Sequence, residues 1–367
     1  MLPEPVSAYH QMKNKTLISL IPGLLISIPA LWLAFRNVPL DDLLSYMASI
    51  HWLWVIPSVI IIFISFSLRT LRWQMIVGSV CPLSFWAAFH PLMIGFMLNC
   101  ILPGRVGELA RPLILNRNTQ VPLSTGLATV AAERIFDLLL LLSFLLIVMA
   151  HVEIGTDTEI IFNDIHLNRE TLDMIESGML KLAVLLIAGI ICVTADKSRK
   201  LIQRGIMTVP SLLFFLSASA KQKLTEKIFV PISCLTDSFA SGFMLLRSWK
   251  KMTLCTVLSA MIWILSAFSY YVFSMGCPGI DLSFPEMFAV MILICFFIAL
   301  PSVPGFWGVW EAGGVFAMSL FGLSGPDAAG FTLANHAIQV FPVIGIGLVS
   351  AMITGVRISR ISDAKAP

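Results

Sequence analysis

Glu133, Arg134 and Asp137 interrupt an otherwise apolar stretch, Ala-Ala-Glu-Arg-Ile-Phe-Asp-Leu-Leu (131–139). On a helix, steps of 100° keep all three within an arc of about 100°. A charge at the centre of a membrane helix costs roughly 2.5–3.5 kcal/mol on insertion scales, so each must face an interior partner or a polar cavity. Arg134 and Asp137, three residues apart, can pair with each other. Glu133 is then left to reach Arg105 or Arg111 on another segment, or to bind a proton. The alternative is a purely structural salt bridge between helices.

Ile-Leu-Pro-Gly-Arg-Val-Gly-Glu-Leu-Ala-Arg-Pro (101–112) supplies those arginines. Pro103 removes a backbone donor and stops an incoming helix, while Gly104 permits positive φ. A helix restarting there directs free N–H groups outward and favours an anion. Arg105, Glu108 and Arg111 step by three and share one broad face. Arginine suits bidentate phosphate recognition, so one reading is a site for a lipid headgroup phosphate. The other is that Arg105 and Arg111 are topology anchors paired by Glu108.

A second break, Pro304-Gly305-Phe306-Trp307-Gly308, is followed by Glu311. Glu311 is an isolated acid in an apolar stretch and a candidate site residue. Asn335, His336 and Gln339 lie on the last long apolar segment, with His336 and Gln339 on one face. His336 can titrate near neutrality or serve as a hydrogen-bonded packing residue. Arg69, Arg72 and Trp73 end another apolar segment. They read first as an interfacial anchor and second as part of a headgroup site.

The elements that must position these residues are set by composition. Of 367 residues, 57% are hydrophobic and 12% charged, against a net charge of +3. Soluble domains carry about 25% charged residues, and this balance points away from nucleic acid. About 20 apolar residues are needed to cross ~30 Å of hydrocarbon. Full crossings are expected at 16–35, 52–68, 125–150, 180–195, 252–275 and 328–355, the first retained rather than cleaved as a signal peptide. Regions 85–116 and 286–323 are each broken by Pro-Gly.

Segment 151–180 holds seven acids and one base; segment 196–251 holds ten bases and three acids. The positive-inside rule therefore places 151–180 outside. The basic stretches, the tail 1–15 and the tail 358–367 lie in the cytoplasm. Six crossings fit only if each broken region enters and leaves by one face, 85–116 from the cytoplasm and 286–323 from outside. Irregular backbone at membrane depth requires a protein or polar-cavity lining. The breaks match at an offset of 201 residues, Gly104 with Gly305 and Gly107 with Gly308. The halves, about 52–150 and 252–355, then form an inverted repeat within one integral domain, 16–357, the arrangement of transporter sites near the midplane. Segment 196–251 reads as amphipathic helices on the inner leaflet, with apolar patches Leu212 to Leu216 and Ile228 to Val230.

The fold class expected is thus an all-α polytopic membrane protein with about six full spans and two re-entrant broken pairs. No P-loop, nucleotide fingerprint or metal-ligand spacing occurs, and the seven cysteines form no Cys-x-x-Cys pair. No cofactor, metal or enzymatic activity is expected.

Pro-Gly-Arg-x-Gly-Glu-x-x-Arg-Pro (103–112), Glu-Arg-x-x-Asp (133–137), Pro-Gly-x-x-Gly-x-x-Glu (304–311) and Arg69-x-x-Arg72-Trp73 together resemble the lysylphosphatidylglycerol-synthase-type transmembrane, or flippase-like, family over roughly 15–357. No soluble aminoacyl-transfer domain of the kind found in some relatives is expected in this chain. It also departs from the family pattern at Phe306-Trp307 and at His336 and Gln339. The resemblance implies movement of an anionic or phosphate-bearing lipid, aminoacylated or glycosylated, between leaflets of a bacterial cytoplasmic membrane. Membrane phospholipid is the expected partner, with a second copy or a lipid-synthesising enzyme as candidate protein partners. The alternatives are a lipid-phosphate-dependent glycosyltransferase, for which paired carboxylates would serve, and an accessory subunit of a lipid-modifying complex.

Overall fold

Long apolar runs satisfy their backbone internally as helices, and these dominate the chain. The computed structural model describes residues 21–78, 81–119, 121–151, 160–162, 165–167, 169–212, 217–230, 233 and 248–356. Both terminal tails, 1–15 and 358–367, lie outside these residues, as do most of the patch Leu212 to Leu216 and much of 231–247.

Helix α1 (Ile21–Phe35) turns by 79° into α2 (Leu40–Ser49). Then come α3 (Val55–Val77), α4 (Phe85–Ile101), α5 (Val106–Asn118) and α6 (Leu123–His151). A two-stranded antiparallel hairpin, β1 (Ile160–Phe162) with β2 (Ile165–Leu167), precedes α7 (Arg169–Thr194), α8 (Asp196–Leu212) and α9 (Ala218–Leu224). The second half consists of α10 (Trp249–Ser274), α11 (Phe284–Phe297), α12 (Val309–Ser319) and α13 (Gly325–Thr354).

Among the described residues three helices are long and apolar enough to cross a membrane, Trp52–Val77, Trp249–Ser274 and Gly325–Thr354, and the bent α1–α2 pair raises this to four. Helix α6 has 29 residues, about 43 Å at the usual rise, but carries the three charges of 133–137. In α7 only Leu180–Gly189 forms a shorter apolar helix. The polarity is inside out: Arg72, Glu133 and Glu311 are buried while Leu25, Leu53, Trp249 and Met352 are strongly exposed. Charged groups shielded by protein and apolar groups turned outward are what a lipid solvent selects. The chain is a multi-pass membrane protein.

The two halves are built alike. Helix α3 packs on α4, α4 on α5 and α5 on α6, while α10 packs on α11, α11 on α12 and α12 on α13. Hydrogen bonds fix the relative direction of α3 and α10. Ser58 meets Ser269, Ser65 meets Ile262 and Ser266, and Arg72 meets Ser259, so the helices run antiparallel. The symmetry is imperfect where α13 packs closely along α4, whereas α6 touches α11 lightly.

Each broken region is a helical hairpin. Glycine makes the first one tight: a Cβ on Gly107 would lie 1.7 Å from the Gly95 carbonyl oxygen, so α4 and α5 touch backbone to backbone. In the second, a Cβ on Gly313 would meet the Phe297 side chain at 2.8 Å.

Candidate functional site

Local sequence explains where each hairpin bends. Leu102 precedes Pro103 and is extended (φ −119, ψ 147), because the proline ring disfavours helical geometry in the residue before it. Gly104 (φ 76) and Arg105 (φ 53) then both adopt the left-handed region, and so do Gly305 (φ 75) and Phe306 (φ 65). Two consecutive left-handed residues, the second bearing a side chain, recur at the same offset of 201 residues. A side chain there costs about 1–2 kcal/mol, so tertiary contacts must hold it.

Those contacts join the two tips. The Arg105 Nη2 donates to the Ile298 carbonyl at 2.6 Å, and its guanidinium lies 5.8 Å from the Phe306 ring centroid. The Cys100 carbonyl oxygen lies 3.1 Å from where a Cβ on Gly305 would sit. Arg105 and Phe306 are separated by 201 residues, as are Ser65 and Ser266, whose hydroxyls lie 3.3 Å apart. Corresponding residues can touch only near the axis that relates the two halves.

A charge cluster sits beside this axis. Arg72, from the C-terminal part of α3, is fully buried and donates to both carboxylates of α6: Nη2 to Glu133 Oε1 at 2.7 Å and to Asp137 Oδ2 at 3.1 Å. Its Nη1 donates to Ser259 Oγ at 2.8 Å, and Trp263 Nε1 donates to Asp137 Oδ1 at 3.2 Å, so α10 closes the cluster. Arg111 lies 2.9 Å from Glu133 Oε2 and over the Trp73 ring at 4.3 Å; Arg134 lies 3.3 Å from Asp137. Arg69 is also buried, with the rings of Phe66, Phe96 and Trp263 around its guanidinium and Ser266 Oγ accepting from it at 3.3 Å. Among the described residues no carboxylate forms an ion pair with Arg69. Four guanidinium groups face two carboxylates, which leaves two positive charges uncompensated.

A cavity of about 210 Å³ straddles the axis. Its charged wall is Arg69, Arg105, Glu108 and Arg134, with Ser65 and Asn99 from the same half. The second half contributes a neutral lining, Trp263, Tyr270, Phe306, Trp310 and Gln339, and Phe66 and Phe96 add aromatic rings from the first. Among the described residues Trp310 Nε1 and Arg134 Nε are buried donors without a hydrogen-bond acceptor, while Arg134 Nη2 is held by Asp137. Excess positive charge together with unpartnered donors makes this a place for an anion beside an apolar group.

The second break is held by a different unit. His336 Nδ1 lies 2.6 Å from Glu311 Oε1, and its Nε2 lies 2.8 Å from the Gly305 carbonyl oxygen. The other Glu311 oxygen accepts the Gly308 N–H at 2.6 Å. The Trp307 and Trp310 rings stand 4.3 and 4.4 Å from the imidazole, Trp310 in parallel stacking.

Several sequence expectations change on this geometry. Arg69 and Arg72 are not interfacial anchors: the packing of α10 against α3 buries both. Arg105 and Arg111 do not share a face, because Arg105 is the left-handed residue before α5 and lies in the cavity, while Arg111 points into the buried cluster. Glu133 reaches Arg111, as expected, but its pairing with Arg72 was not foreseen and Arg105 pairs with Glu108 instead, at 3.7 Å. Nor does α5 present a free N-terminus, since the Gly107 N–H donates to Asn99 Oδ1 at 2.8 Å and the Glu108 N–H to the Arg105 carbonyl at 3.1 Å. Glu311 and His336 form one pair rather than two separate candidates. Asn335 is buried beside Gln339, whose amide donates to Ser269 Oγ at 2.8 Å. Sequence reasoning missed Asn99, Trp263, Tyr270 and Trp310. The only signal for Tyr270 was its offset of 201 from Arg69. Among the described residues no cluster of three or more His, Cys, Asp or Glu could hold a metal, and the six described cysteines are unpaired.

These features define a polytopic membrane protein with two facing helix breaks and a cationic cavity between them. The family model for the lysylphosphatidylglycerol synthase TM region matches residues 20–347, and the chain belongs to that family. Among curated proteins it is similar to glycosyltransferase AglD of Haloferax volcanii, 26% identical over 124 residues. That stretch is 33% of this chain and 20% of the relative, so the chain spans only a fifth of that protein. No solved structure matches.

Proposed function

We propose that the protein carries a phosphate-bearing lipid between the leaflets of a bacterial cytoplasmic membrane. The observation that carries the reading is the cavity's mixed lining, with uncompensated guanidinium groups of the first half beside aromatic rings from both halves. A headgroup phosphate would be held by Arg69, Arg105 and Arg134, with Glu108 releasing Arg105 as the anion arrives. Glu133 and Asp137 would hold Arg72 and Arg111 in place behind that wall. Acyl chains would remain in lipid.

In this reading the halves are an inverted repeat of six crossings and two re-entrant pairs. The 151–180 stretch lies outside, 196–251 lies on the inner leaflet, and the breaks meet at bilayer depth. Antiparallel α3 and α10, and the matching left-handed pairs Gly104–Arg105 and Gly305–Phe306, support it. Helix α8 supports the surface placement: Leu201 and Met207 are exposed beside Lys197, Lys200 and Arg204.

The test is reconstitution into liposomes with a headgroup-labelled phospholipid and an impermeant quencher. Arg69→Gln and Arg105→Ala should each slow lipid movement at least about tenfold, the equivalent of roughly 1.4 kcal/mol. Glu133→Gln should do the same by freeing Arg111, which has no other ion-pair partner among the described residues, while Arg72 keeps Asp137. Unchanged rates in all three would refute these roles.

Similarity to a stretch of a glycosyltransferase favours one second reading, that this membrane region presents a lipid-phosphate sugar donor to a transferase. Lipid-linked sugar consumed by purified protein, without lipid movement, would select it.

A further inference from the structure

The contacts of His336 fix a proton count. A carbonyl oxygen only accepts, so the 2.8 Å approach of Nε2 to the Gly305 oxygen puts a hydrogen on Nε2. The 2.6 Å approach of Nδ1 to Glu311 Oε1 also needs a hydrogen between two atoms that would otherwise oppose lone pairs. That hydrogen belongs either to an imidazolium beside a carboxylate or to a carboxylic acid beside a neutral imidazole. In both cases the pair holds one proton beyond the unprotonated combination, and its net charge is zero.

We infer that the His336–Glu311 pair is a proton-binding site that latches the second break, making the proton the coupling ion of the transport proposed above. Losing the proton leaves one negative charge in a fully buried setting, which is unfavourable without a partner. It also forces a choice. If the remaining hydrogen stays on Nε2, imidazole and carboxylate repel each other. If it moves to Nδ1, the Gly305 carbonyl loses its donor. Either way one of the two links that hold the second break is lost, the one through Glu311 to Gly308 or the one to Gly305, next to Phe306, which lies beside Arg105. Proton loss therefore loosens the cavity floor, and proton gain resets it.

Few other groups can substitute. Among the described residues the titratable or charged side chains facing the pair from neighbouring elements are Tyr270 of α10, stacked on Trp310, Cys295 of α11 and Arg105 through Phe306, while Cys100 of α4 contributes its carbonyl. None makes a hydrogen bond to either member of the pair. The inference rests on the lipid-carrier reading for its purpose and on the geometry alone for the proton.

Glu311→Gln tests it, because the glutamine amide can donate to Nδ1 while its oxygen accepts the Gly308 N–H, preserving the fold without an exchangeable proton. Two measurements on the full chain separate the outcomes. In detergent, tryptophan emission should change in one step as the pH is raised and the pair gives up its proton, since Trp310 stacks on the imidazole and Trp307 lies tilted beside it. The step should vanish in Glu311→Gln. In proteoliposomes an imposed pH gradient should accelerate lipid movement severalfold for the wild type and leave Glu311→Gln unaffected. A flat emission profile in the wild type, the same step in the variant, or equal gradient responses would overturn the inference. An emission step in protein that moves no lipid would support the proton site and refute the carrier reading instead.

Discussion

Arg72 shows how a single guanidinium organises this interior. It donates to Glu133, Asp137 and Ser259 at once, tying α3, α6 and α10 together. Removing one partner of a buried ion pair costs about 3–5 kcal/mol, because the remaining charges stay behind without compensation. Arg72→Ala should therefore lower the thermal midpoint in detergent sharply. Arg72→Lys should recover part of the loss, since a point charge cannot bridge two carboxylates in a plane. Arg69 should behave differently, being buried without a carboxylate: Arg69→Gln should leave the thermal midpoint nearly unchanged while transport falls. Glu133, Arg134 and Asp137 were legible because charges in an apolar run must find partners. Arg72 was not, because at the end of a span burial and anchoring produce the same sequence.

At the scale of elements, hairpin packing hinges on residues with no side chain. Gly107 has the Gly95 carbonyl where a Cβ would go, whereas Gly345 on α13 has nothing within 4 Å. Gly107→Ala should abolish folded protein on size-exclusion chromatography. Gly345→Ala should be neutral or stabilising by up to about 1 kcal/mol, the helix preference of alanine over glycine. The breaks themselves were readable, because proline and glycine act locally on φ and ψ. The left-handed conformation of Arg105 and Phe306 was not, since only the contact between the two tips holds those backbones there.

For the whole molecule, the central question is whether water reaches the axis. Cys100 and Cys295 line the cavity, whereas Cys255 and Cys277 are buried in the packed core. A small hydrophilic thiol reagent followed by mass spectrometry should modify Cys100 and Cys295 well before Cys255 and Cys277, and added phospholipid should protect the cavity pair. Equal protection of all four without lipid would mean a dry interior and no passage for a headgroup.

Composition and spacing alone determined that the chain lives in lipid, that it is helical, that it breaks at two matched points and that charges sit at depth. Each follows from rules acting within one segment: apolar length, proline and glycine geometry, and the cost of an isolated charge. Which charges meet, which guanidinium faces the cavity and which histidine closes on which carboxylate were decided by tertiary structure. Those outcomes depend on how α3, α6, α10 and α13 rotate against one another. The rotation is set by contacts between residues as far apart as Arg105 and Ile298, which no local pattern encodes.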